Sequence, residues 1–275
     1  MKDRVRLSLG LIAGGAALLV IIWLATCCQM RDFLGEEFFL SLLGRLVAAN
    51  LAGVVLGGIA IAVGWRLWLK AAPFVAVTWL LIGGVCFAAL QGDLALGMLP
   101  PVLALSAAWL SQRFGSRAWH WVALVVVGFC LVLLVRVFGN ENRRQRVKEF
   151  FCGREQRQET VLPASKTDCA AVQTMPDTKR PIKYDHLILI VPTCLLLVGF
   201  ALLAFGAKEE SAKAFVVVLG LAVAGPCVLV TLADLRLVPN LDLSIPWARD
   251  EIACVATDWL AFGILTSAVK ITHRS

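Results

Sequence analysis

The chain has 275 residues, of which 59% are hydrophobic and only 16% charged, with a net charge of +7. Soluble domains carry about 25% charged residues, so this chain lacks the polar surface to cover a globule in water. Its apolar residues fall in continuous, non-alternating runs close to the ~20 residues that a helix needs to cross a bilayer. That pattern excludes a barrel of short alternating strands and points to an all-α, polytopic transmembrane helix bundle of seven or eight membrane helices.

The first run, residues 7–26, follows a basic start, "MKDRVR". The ending "LATC" at Cys27 loosely resembles a lipoprotein signal. Thr26 is large for the position before a lipidated Cys, and the run exceeds the roughly 7–15 residues of a signal core, so the expectation is an uncleaved first helix. The second run, 38–65, carries Arg45 and Asn50 in its first half. The third is 73–90. The fourth, 94–110, contains Pro100 and Pro101 and is expected to break there, because two helix donors are lost and Leu99 is pushed away from helical geometry. The fifth is 119–138.

A polar, basic loop of about 47 residues, 139–185, then separates the five runs of residues 1–138 from a C-terminal membrane region, 186–275. The sixth and seventh runs are 186–206 and 214–232. An eighth, 252–269, carries Asp258 near its middle behind an acidic start, "ARDE". Such a short run reads either as an interfacial helix or as a span with an intramembrane acid.

Small residues four apart occur in "GLIAG" (Gly10 to Gly14), "GVVLG" (Gly53 to Gly57, preceded by Ala49) and "GLAVA" (Gly220 to Ala224). Such stripes let helix backbones approach closely, and packing within the chain is the expected use, with contacts to other membrane proteins as the alternative. Trp23, Trp65, Trp68, Trp109, Trp119, Trp121 and Trp247 cluster near run ends, as rings at headgroup level do. Trp79 and Trp259 do not fit that belt.

The loop's sidedness follows from counting cations. With all eight runs crossing and the N-terminus inside, eleven Lys and Arg lie in short inside segments against four outside, but the loop's ten fall outside. If the Pro-broken fourth run stops short, the loop moves inside and the count is seventeen to eight. The expectation is therefore a cytoplasmic loop. Its cluster Arg143, Arg144, Arg146 and Lys148 suits anionic lipid headgroups. Cys152 and Cys169 in the same loop could form a disulfide if it lies outside.

Candidate functional residues are few. Asp258 is the one acid well inside an apolar run, where a carboxylate signals an ion path, a proton relay or a paired cation. Arg45 is its obvious counterpart, although its position near the start of the second run favours snorkelling to the interface. Pro100 and Pro101 suit a hinge or a half-helix site. No HExxH, GxSxG, Walker-type loop, EF-hand or CxxC pattern occurs, so no catalytic residue, cofactor or metal is assigned and an enzyme is disfavoured. The basic loop lacks aromatic interleaving, which argues against nucleic acid. The expected role is a non-catalytic subunit or partner-binding component of a secretion, envelope or immunity complex in a plasma membrane, taken as the bacterial inner membrane. The alternative is a small-molecule or ion transporter with its site near Pro100, Pro101 and Asp258.

Overall fold

A computed structural model describes residues 2–29, 36–90, 93–115, 119, 123, 127, 141, 144–145, 147–151, 186–239, 245–247 and 252–271. Of these, 93% are helical and none lies in a strand. Seven helices are delimited: α1 (Lys2–Gln29), α2 (Glu36–Val63), α3 (Trp65–Leu90), α4 (Asp93–Phe114), α5 (His186–Gly206), α6 (Glu210–Asp234) and α7 (Ile252–Ile271). Helices are what apolar sequence must form where no water can pair the backbone. Four of them, over Asp3–Thr26, Leu43–Val63, Ile188–Gly206 and Glu210–Asp234, are long and apolar enough to cross a bilayer. The chain has the make-up of a membrane protein.

The helices do not pack in chain order. α1 lies along α5, α5 on α6 and α6 on α4, while α3 and α7 both pack on α4, and α2 is attached through α7. Burial agrees: 56% of the apolar window of α6 is buried against 28% for α1 and for α2, so α6 is central and the two early helices are peripheral. Thr193 of α5 and Thr231 of α6 are hydroxyl to hydroxyl at 3.3 Å across the central pair. Each also donates to, or shares a proton with, the carbonyl one turn back within its own helix.

The expected interruption of the fourth run is not found, and α4 runs on through Pro100 and Pro101. Both rings are buried. Proline's fixed φ suits a helix, so the cost is confined to two missing rungs and local crowding, which membrane bundles tolerate by re-pairing the freed carbonyls. The same holds at Pro73, Pro192 and Pro226, each inside a helix.

A sharp joint appears instead between α2 and α3. They are separated by Gly64 alone, at φ +84°, a left-handed conformation open to glycine at little cost. The carbonyl of Ala60 accepts both the Gly64 N–H at 3.3 Å and the Trp68 indole N–H at 3.1 Å. Consequently α3 begins eight residues before the apolar run does, carrying Arg66 and Lys70 on its exposed side.

Two of the three small-residue stripes pack as expected. Gly53 and Gly57 face α7, and Gly220 faces the ring of Phe200 on α5. The stripe on α1 does not: a Cβ at Gly10 or Gly14 would meet nothing within 4 Å. The α1–α5 contact uses the neighbouring face, where Ser8, Ile12, Gly15 and Leu19 recur at helical spacing and are buried. At Gly15 a Cβ would come within 3.0 Å of Leu196 and 3.1 Å of the Pro192 carbonyl. Two tryptophans also leave the headgroup belt. Trp65 is wholly buried, edge-on to Phe215 at 5.1 Å, and Trp247 is buried as well.

Candidate functional site

Asp258 lies on the second turn of α7, and 3% of its surface is exposed. α7 is buried around most of its circumference, packed between α2 and α4, unlike an interfacial helix with one wet face. The carboxylate Oδ2 accepts the backbone N–H of Trp247 at 3.0 Å. Trp247 adopts φ +58°, rare for a bulky residue, and its ring packs edge-on to Trp259 at 6.4 Å. Asp258 thus holds the turn at 245–247 against the helix that follows it. A buried N–H without that acceptor would cost about 1–3 kcal/mol, enough to offset the left-handed backbone, roughly 1–2 kcal/mol.

Next along α7, Trp259 faces α2. Its indole N–H donates to Asn50 Oδ1 at 2.9 Å, and Asn50 Nδ2 donates to the Leu46 carbonyl at 3.0 Å. The ring lies on Gly53, where a Cβ would be 2.5 Å from Trp259 Cδ1. One turn on, the Trp259 carbonyl would be 2.9 Å from a Cβ at Gly57, and a Cβ at Gly263 would run into the backbone of Gly57. Backbones this close leave room for hydrogen only, which is why glycine stands at each position. Phe262 closes the aromatic row, edge-on to Trp259 at 6.1 Å.

Of the residues singled out in the sequence, Asp258 is buried and Arg45 exposed, so the two are not brought together. Pro100 and Pro101 lie inside α4. Arg144 and Lys148 are exposed on a helical segment. Arg143, Arg146, Cys152 and Cys169 lie outside the described residues.

The residues that sequence reasoning missed are Asn50, Trp247 and Trp259. Two carried a signal. Asn50 is polar within an apolar run and Trp259 lies away from any run end, and these two misfits satisfy each other. No known family model, curated protein or solved structure matches the chain. What the geometry offers is a fastening: an acid, an amide and two indoles used to lock α7 and the turn before it onto α2.

Proposed function

We propose that the chain is a multi-pass, non-catalytic subunit that binds partners within a membrane complex of the secretion, envelope or immunity kind, seated in a plasma membrane such as the bacterial inner membrane. The observation that carries this is the engagement of Asp258 by the chain's own backbone. A coupled transporter needs its intramembrane acid for a substrate, an ion or a proton, and here the Asp258 carboxylate holds Trp247. Pro100 and Pro101, the other half of the transporter reading, sit inside an unbroken, packed helix.

The unbroken α4 also bears on topology. Its 22 residues reach about 33 Å at 1.5 Å each, enough to cross a hydrocarbon core of ~30 Å. The argument for an inward loop rested on run four stopping short. With that argument gone, the arrangement in which every run crosses, with the 139–185 loop on the outer side, is the better supported.

The test is extraction from native membranes in a mild detergent, followed by native electrophoresis and mass spectrometry. The expected result is migration with other polypeptides as a larger assembly, unchanged in Asp258→Asn. Recovery as a bare monomer would overturn the proposal. So would an Asp258→Asn protein that folds and assembles normally while its cellular function is lost.

A further inference from the structure

The helical stretch at residues 141–151 has two chemically distinct faces. Arg144, Val147, Lys148 and Phe151 stand at i, i+3, i+4 and i+7 and so share one side of a helix. Glu141, Gln145 and Glu149, at i, i+4 and i+8, share another, where Gln145 Nε2 donates to Glu149 Oε1 at 3.1 Å. Both acids among these residues are therefore on one side and both cations on the other. Arg144 and Lys148 are exposed. Phe151 leaves 53% of its surface open to solvent and stands edge-on to Phe150 at 5.6 Å.

We infer that the Arg144–Val147–Lys148–Phe151 face binds the surface of an anionic bilayer, with the two cations on lipid phosphates and Phe151 in the acyl boundary. Charge complementarity selects this occupant. Cations beside aromatic and aliphatic side chains, backed by an acidic face, are the arrangement of an interfacial helix. An acidic protein partner would match the cations but would leave Phe151 unexplained. The segment follows within a few residues the apolar run ending at residue 138, so a membrane surface is close at hand. The inference rests on the chain being seated in a bilayer, not on its having protein partners.

The test uses the full chain in nanodiscs of phosphatidylcholine alone or with about 30% phosphatidylglycerol, followed by hydrogen–deuterium exchange. Because both leaflets are alike, the result does not depend on which side the loop occupies. Each cation near the headgroups strengthens binding by roughly fivefold. The amides of residues 147–151 should therefore exchange about tenfold more slowly in the anionic discs. Arg144→Glu/Lys148→Glu should abolish the difference, and Glu141→Gln/Glu149→Gln should keep it. Unchanged protection across α6 in the same samples shows that each variant is folded and inserted. Equal exchange in the two discs would overturn the inference, as would protection that survives the double charge reversal. Protection in neutral discs on adding inorganic phosphate would mark a free-anion site instead and would equally overturn it.

Discussion

At the scale of single residues, two positions share a backbone conformation and differ in every consequence. Arg236 and Trp247 both have φ +58°. Arg236 follows α6 in a closing motif in which its N–H donates to the Ala233 carbonyl and that of Leu237 to the Leu232 carbonyl, each at 2.9 Å. This is the place glycine usually takes. Arg236 is exposed, so Arg236→Gly should stabilise the protein by about 0.5–1 kcal/mol, the relieved backbone cost less glycine's added entropy. Trp247→Gly relieves the same dihedral but empties a buried ring site and should cost roughly 3 kcal/mol or more. The acceptor for Trp247 supplies a second comparison. Asp258→Ala should lose about 1–3 kcal/mol by stranding a buried N–H, whereas Asp258→Asn keeps an oxygen there and should lose clearly less. Denaturation in detergent micelles measures all four, and equal losses for the two Asp258 variants would refute the clamp.

At the scale of helices, the contact between α2 and α7 is set by the absence of side chains. A methyl at Gly263 meets the main chain of Gly57, and one at Gly53 meets the Trp259 ring. Gly263→Ala and Gly53→Ala should each cost about 1–3 kcal/mol or more by overpacking, and a disulfide engineered across the pair should form more slowly in both. Gly10→Ala and Gly14→Ala meet nothing and should be neutral or stabilising, by up to about 1 kcal/mol each, as alanine replaces glycine in a helix. The existence of these helices was legible, because apolar runs of this length have few alternatives. Their limits and faces were less so. α3 starts early because Arg66 and Lys70 can point outward while the backbone continues as helix. α4 ignores its prolines because packing outweighs two lost hydrogen bonds. The glycine pair of α1 is offset by one residue from the face that packs, since spacing identifies a stripe but says nothing about where its partner stands. Asp258 was legible as unusual, but its partner, the main chain of Trp247, has no sequence signature.

At the scale of the molecule, the polar loop divides the sequence without dividing the packing: α1 with α5, α4 with α6, and α2 with α7 all pair across it. If the loop lies outside, as an unbroken α4 favours, a membrane-impermeant maleimide should reach Cys152 or Cys169 in intact cells, directly or after reduction. As a pair these two would close an 18-residue loop, stabilising the protein by roughly 3 kcal/mol in the chain-entropy model. Labelling only after the cells are opened would return the loop to the cytoplasm and require that one of the runs does not cross.

The pairing of the second helix with the last has a consequence in time. Asn50 and Trp259 are 209 positions apart, and ribosomes add about 5–20 residues per second. During synthesis α2 therefore waits roughly 10–40 seconds before the indole that its amide will hold has been made. Through that interval its bare glycine ridge and the Asn50 carbonyl oxygen face lipid or an insertion chaperone. A nascent chain halted before Ile252 should leave α2 unclaimed while α1 has already met α5. Such truncated chains should be cleared from the membrane faster than full-length ones in a pulse–chase, and supplying α7 as a separate peptide should slow their loss.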